Sequence, residues 1–253
     1  MRIFLSDLDN TIIYSYKRDI GNSKLTAEIY KGREISFITE HTYKALDFVN
    51  GKINFIPLTT RSIEQYKRIS FNKIWSPKFA LSSNGGTLLI NGSEDMEYKR
   101  ETFKIIEPFV EEMSEAENIL INDSNRIIDV QRVDGLFVYT KSENPEETLK
   151  ILENGLGEKD CRLRLFRNNQ KIYAVPPPLN KGEALERVKN YLDCDFVISA
   201  GDSIFDVPML NRADISFFPE HIREFIEKKD GIFSFKGNGV FSDYVLDKIS
   251  SII

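Results

Sequence analysis

Four short stretches carry side chains able to act together on a phosphate ester. The first is Asp7-Leu8-Asp9-Asn10-Thr11, two carboxylates two residues apart followed by a hydroxyl. The others are Thr59-Thr60, Lys181, and Gly201-Asp202 with Asp206. Phosphoryl transfer demands charge neutralisation and positioning above all else. Carboxylates such as Asp7 and Asp202 could hold Mg²⁺, which prefers hard oxygen ligands. One carboxylate could attack phosphorus, and a second, two residues on, could protonate the leaving oxygen and then activate water. A hydroxyl and an ammonium could bind the remaining phosphate oxygens. Taken singly, each stretch has an ordinary reading: a solvated turn, a helix cap, a solvent-facing lysine, a loop. An EF-hand reading of the first stretch fails, because the glycine at loop position 6 and the glutamate at position 12 are absent.

The elements around these stretches alternate. Arg2 to Leu5 reads as a short buried strand ended by Ser6-Asp7. Ile53 to Leu58 is a second strand ending at Thr59, and Phe79 to Ser83 a third, running into a turn at Asn84-Gly85-Gly86. Thr39 and Ser62 can cap the helices between them. Residues 14–38 are polar and irregular, with a hairpin from Glu28 to Phe37 turning at Lys31-Gly32. After Pro176-Pro177-Pro178 the alternation resumes: a helix from Lys181 to Leu192, a strand from Asp195 to Ser199, a short helix from Val207 to Asn211 and a strand from Ile215 to Phe218. Glu220 to Asp230 reads as a charged helical face.

The middle differs. It reads as a helix from Glu101 to Asn118, strands from Arg126 to Arg132 and Leu136 to Thr140, a helix from Pro145 to Glu153, and a hairpin of Arg162–Phe166 with Lys171–Val175. That α-β-β-α-β-β order makes a layered unit able to bury its own face. The expected fold class is therefore α/β, a Rossmann-like core with a mostly parallel sheet, interrupted by an α+β insert. The expected division is a core of residues 1–92 and 176–253, with the insert at 93–175. In such a sheet, ligands bind where strand ends diverge, and the four stretches fall on such ends.

Composition narrows the function classes. The net charge of −5 argues against general nucleic-acid binding, which needs clustered Lys and Arg. Two separated cysteines, Cys161 and Cys194, and two lone histidines, His41 and His221, leave little for a zinc site or a Ser-His-Asp triad. No apolar run approaches the roughly 18–20 residues of a membrane span, and no signal peptide is expected at the start. A cytoplasmic location is expected, with no membrane or nucleic-acid partner and a monomeric or small homo-oligomeric state.

The motifs resemble those of the haloacid dehalogenase superfamily of phosphohydrolases. The match spans residue 1 to about 90 and about 176 to the end. The place and order of the insert are similar to the large-cap sugar-phosphatase branch, which includes sucrose-phosphate and mannosylphosphoglycerate phosphatases. The resemblance implies a Mg²⁺-dependent phosphatase acting on a small phosphomonoester, a sugar or polyol phosphate, through an aspartyl phosphate. It implies Asp7 as nucleophile and Asp9 as general acid/base. Thr59, the backbone of Thr60 and Lys181 would bind phosphate; Asp7, Asp9 through its carbonyl, Asp202 and, in support, Asp206 would serve the metal. The cap would close over the leaving group, with Arg61, Asn84, Arg164 and Arg167 as candidate substrate contacts. Two positions depart from the branch: Thr60 stands where glycine is common, and Phe205 where asparagine is common. A phosphomutase of the same superfamily, or a regulatory protein that binds a phosphorylated ligand without turnover, remain alternatives.

Overall fold

The computed structural model describes residues 1–70, 76–157 and 161–253. The chain packs as two units, Met1–Asp95 with Asn180–Ile253, and Met96–Leu179. In the first, β1 (Arg2–Ser6) is followed by β2 (Tyr14–Ser15), β3 (Lys24–Tyr30), β4 (Arg33–Thr39), α1 (Glu40–Asn50), β5 (Asn54–Pro57), α2 (Ile63–Lys67), β6 (Phe79–Ser82), β7 (Thr87–Ile90) and β8 (Ser93–Glu94). The second holds α3 (Met96–Ile106), α4 (Val110–Ile121), β9 (Gln131–Val133), β10 (Phe137–Lys141), α5 (Pro145–Leu156), β11 (Arg164–Asn168) and β12 (Lys171–Val175). The chain then returns to the first with α6 (Lys181–Tyr191), β13 (Phe196–Ala200), α7 (Val207–Arg212), β14 (Ile215–Pro219), β15 (Ile232–Phe235) and α8 (Phe241–Ser250).

The central sheet of the first unit runs β15-β14-β13-β1-β5, all parallel. Its strands are continuous apolar runs because both faces are covered. Phe4, Phe55, Ile198 and Phe217 pack with Leu46 and Val49 of α1 and Val245, Leu246 and Ile249 of α8. The expected caps form. The Thr39 hydroxyl accepts from the Thr42 amide, and Ser62 and Gln65 make a reciprocal capping box. The hairpin turns at Lys31-Gly32, both at positive φ (50° and 74°), and belongs to a three-stranded sheet ordered β2-β4-β3. Among the described residues no helix is long and apolar enough to cross a membrane.

In the second unit an antiparallel sheet ordered β11-β12-β10-β9 packs against α4 and α5. Arg132 and Arg167 share the sheet face of Val138 and Ile172. They reach Glu117 of α4 and Glu146 of α5, so the helices cover that face. The opposite face carries a row of stacked rings, Tyr139, Tyr173 and Phe166, with centroids 5.5 and 5.2 Å apart.

Several boundaries differ from the sequence reading. The helix expected over 101–118 is two helices broken at Glu107–Phe109, because Pro108 has no N–H to continue the ladder. Of the strand expected over 126–132, only Gln131–Val133 forms a ladder, and Arg126 makes a lone bridge to Ser142. The third strand of the sequence reading forms as β6, beside the end of β5, where the Leu58–Leu81 bridge is parallel. It pairs antiparallel with β7. Residues 220–225 form a 3₁₀ turn, and β15 and α8 complete the sheet edge and its covering layer. Truncating Leu46, fully buried on α1, to alanine is expected to cost about 2–5 kcal/mol. The same change at Phe48 on the same helix, 51% exposed, should stay near ~0.5 kcal/mol. Urea unfolding of the two variants checks both values.

Candidate active site

The parallel strands bring three chain segments to one sheet edge. β1 lies between β13 and β5, and its backbone pairing continues past the strand ends: the Asp7 amide donates to Ala200 (2.9 Å) and the Leu58 amide to Ser6 (2.7 Å). Asp7, Thr59 and Asp202 therefore emerge side by side from β1, β5 and β13, where the sheet order opens a crevice. After Asp7 the chain makes a tight turn. The amides of Ile12 and Ile13 both donate to Leu8, and Asn10 takes a left-handed φ of 62° that asparagine tolerates. The turn buries Thr11, whose hydroxyl lies 3.3 Å from an Asp202 oxygen and 3.5 Å from Asp7 Oδ2.

Lys181 begins α6 and is 1% exposed. Its ammonium donates to Asp7 Oδ1 at 2.5 Å and to Asp206 Oδ1 at 2.6 Å. The Asn180 side chain caps α6 by accepting from the amides of Gly182 and Glu183. Two glycines make the approach possible. A Cβ on Gly182 would lie 2.8 Å from the Pro208 carbonyl oxygen, and one on Gly201 would lie 2.3 Å from Asp206 Cβ. Asp206 organises the loop after β13: its Oδ2 accepts from the amides of Asp202 (3.0 Å) and Ser203 (2.9 Å) and from the Ser203 hydroxyl (2.9 Å).

The charges here do not balance. One oxygen from each of Asp7, Asp202 and Asp206 lies within 4.8 Å of the others, and among the described residues a single ammonium faces the three carboxylates. Burial lifts the Asp7 carboxyl to about 7; Lys181 opposes the rise, and the charges of Asp206 and Asp9 add to it. Asp202 is lifted to about 8, by burial first and then by Asp7 and Asp206. Burial acts to lower the Lys181 ammonium, but Asp206 and Asp7 outweigh it and hold the group above its ordinary value. Asp206 is engaged by four donors, so Asp7 and Asp202 are the carboxylates with oxygen lone pairs left for a cation. Hard oxygens in excess of local positive charge fit a divalent ion such as Mg²⁺.

Asp9 is engaged elsewhere. Both its oxygens accept from Arg61, at 2.8 Å from Nε and 2.7 Å from Nη2. The Arg61 guanidinium, 13% exposed, also donates to Glu28 Oε2 at 2.8 Å. Burial acts to lower the Arg61 pKa, but the hydrogen bonds and charges of Asp9 and Glu28 outweigh it and raise the value. Thr59 is buried; its hydroxyl accepts from the Arg61 amide at 3.2 Å, and its carbonyl accepts from the Asn84 amide at 2.8 Å. Thr60 follows, half-buried. Asn84, also buried, sits at a left-handed φ of 59° in the turn after β6, which puts its backbone in the scaffold beneath Thr59.

Asp7, Thr59, Lys181, Asp202 and Asp206 are thus brought together, and Asp9 joins them through the shared turn. The Asp9 carboxylate is not among the clustered cation-facing oxygens, because Arg61 takes both of its oxygens. Arg164 and Arg167 lie in the second unit on opposite faces of its sheet: Arg164 faces with Phe166, and Arg167 pairs with Glu146. Residues an odd number of positions apart on a strand cannot share a face, so the two arginines do not form one pair. Sequence reasoning missed Glu28, Arg68 and Ser203. Ser203 was findable, since a serine after Asp202 can cap the turn to Asp206; nothing local distinguishes Glu28 from a solvated hairpin residue.

A family model of haloacid dehalogenase-like hydrolases matches residues 4–218, and the chain belongs to that family. No curated protein matches it in sequence. Among solved structures, the sucrose-phosphatase of Synechocystis, in complex with sucrose and phosphate, is similar at 14% identity and a TM-score of 0.67, covering 99% of this chain and 98% of that one. The C-terminal domain of the C. albicans trehalose-6-phosphate phosphatase is 14% identical with a TM-score of 0.57, covering 99% and 91%. A haloacid dehalogenase subclass IIB sugar phosphatase is 13% identical with a TM-score of 0.58, covering 100% and 99%. The likeness in each case is one of fold.

The raised carboxyls set a pH dependence. In the metal-free protein Asp7 and Asp202 keep protons that the unfolded chain has released, so their contribution to stability falls as pH rises from about 4 to about 8. A divalent cation held by the ionised pair would remove that loss. Saturating Mg²⁺ should therefore raise Tm by about 5–10 °C near pH 8 and by much less near pH 5. Thermal melts in Mg²⁺ and in EDTA across this range check it.

Proposed function

We propose that this protein is a Mg²⁺-dependent phosphatase that hydrolyses a small phosphomonoester, a sugar or polyol phosphate, through a phosphoaspartyl intermediate on Asp7. The observation that carries the reading is the buried contact of Lys181 with Asp7 and Asp206, beside an Asp202 carboxylate that accepts from the Thr11 hydroxyl and, among the described residues, from no lysine. A carboxylate in that setting is poised for a phosphate dianion only if positive charge accompanies the substrate, and oxygens of Asp7, Asp202 and Asp206 lie within 4.8 Å of one another, close enough to hold a metal ion.

Asp7 attacks phosphorus and the ester oxygen departs on the opposite side. Asp9 gives that oxygen a proton, so the first products are an alcohol and an acyl phosphate on Asp7. Asp9, now ionised, takes a proton from water; the water oxygen bonds to phosphorus, the Asp7–phosphorus bond breaks, and inorganic phosphate leaves. Lys181 offsets the repulsion between the Asp7 carboxylate and the phosphate. The Thr59 hydroxyl and the Thr60 amide bind equatorial oxygens. When held by Asp7 and Asp202, Mg²⁺ supplies further neutralisation of the transferred group's charge. The substrate class is supported by the similar structures, a sucrose-phosphatase and a trehalose-6-phosphate phosphatase among them.

A panel of sugar, polyol and nucleotide phosphates, read as inorganic phosphate with Mg²⁺ or EDTA, tests the proposal. Asp7→Asn is expected to lower kcat by about 10³-fold or more with the fold retained. Asp9→Asn should lower it by about 10²–10⁴-fold. Undiminished phosphate release by the Asp7 variant would overturn the phosphoaspartyl route. Nucleotide phosphates turning over faster than every sugar phosphate would overturn the substrate class.

A further inference from the structure

We infer that Glu28, from the hairpin inserted after the first motif, is a positioning residue for the general acid/base, acting through Arg61. The inference rests on the phosphatase reading above. Glu28 is 1% exposed and stands in the middle of a chain of charged contacts, between Arg61 and Arg68. Its Oε2 accepts from Arg61 Nη1 at 2.8 Å and from the Ser36 hydroxyl at 3.1 Å; its Oε1 accepts from Arg68 Nε at 3.0 Å. Arg61 presents its remaining edge, Nε and Nη2, to both oxygens of Asp9. From Asp9 to Arg68 two carboxylates and two guanidiniums alternate and their charges cancel; the exposed Glu64 lies 3.7 Å from Arg68 at the outer end. Of the four, Asp9 has the most exposure, at 48%; Arg61 and Arg68 are 13% and 26% exposed.

The backbone goes out of its way to bury this glutamate. Strict alternation along β3 would place Leu25, Ala27 and Ile29 on one face and Glu28 on the other. Instead the register of β3 with β4 shifts on both sides of Glu28. Ala27 and Glu28 both turn inward, and Ile29 is left 58% exposed. Bulges of this kind re-aim side chains beside functional sites. The hairpin is also tied to the arginines it serves: the Ser70 amide donates to Ala27 at 2.8 Å, and Glu28 bridges Ile69 in backbone pairing. Exchanging a buried isoleucine for a buried carboxylate does not favour folding, since burial of charge is offset at best by its partners. The gain lies in geometry. A bidentate guanidinium is planar, and with its second edge pinned by Glu28 it can present Asp9 in only one orientation.

Glu28 touches neither substrate nor reacting atoms, so its effect should run entirely through Arg61. Glu28→Gln keeps the shape and removes the charge. It is expected to lower kcat by about 10²-fold while KM moves by less than about threefold. In an Arg61→Gln background the same change should have no further effect on kcat, because the coupling it feeds is already gone. A purely structural role would cost the same factor in both backgrounds. Ser36→Ala, which removes one neutral hydrogen bond from Glu28, gives a milder loss of kcat in the same direction and serves if Glu28→Gln does not fold, as judged by circular dichroism. Wild-type kcat in both the Glu28 and Ser36 variants, or equal losses with and without Arg61, overturns the inference and leaves the phosphatase reading intact. Absence of phosphate release from the wild-type protein overturns both.

Discussion

A buried ammonium wedged between two carboxylates, with a third carboxylate close by, is the constraint around which the first unit is arranged. Lys181 cannot remain charged and buried without Asp7 and Asp206 beside it. Meeting that requirement brings the ends of β1 and β13 and the start of α6 within hydrogen-bonding distance. It also accounts for the glycines at 182 and 201, which stand where any side chain would hold the partners apart.

Two charged groups of residues lie on either side of the first turn and are built differently. Asp7, Asp202, Asp206 and Lys181 carry more negative than positive charge, which suits a centre that receives a cation and a phosphate. Asp9, Glu28, Arg61 and Arg68 are balanced, which suits a fixed support. The five-residue motif divides its two carboxylates between them. Asp7 belongs to the unbalanced set and Asp9 to the balanced one. One short loop thereby holds two carboxylates in distinct environments, as a nucleophile and a proton carrier require.

Much of the core was legible in the sequence because its signals are local. An apolar run stopping at Asp7, a strand stopping at Thr59 and caps at Thr39 and Ser62 each follow from composition over a few residues. The break at Pro108 was equally local, and the periodicity on either side of it obscured it. The departures have tertiary causes. Of the strand expected over 126–132 only the end forms a ladder, because pairing with β10 begins at Gln131. Arg164 and Arg167 both looked available for a ligand; strand alternation sends Arg167 to α5.

By itself the sequence determined the order of the elements, the α/β class and which carboxylates, hydroxyls and lysine stand at strand and helix ends, because these depend on short-range pattern. Only the tertiary structure decided which of them face one another. Arg61 is turned to Asp9, Asp206 is saturated by its own loop and Lys181, and Glu28 is drawn inward by a shift in strand register. Each outcome depends on groups tens of residues apart competing for a limited number of buried charge partners, and no local stretch of sequence records that competition.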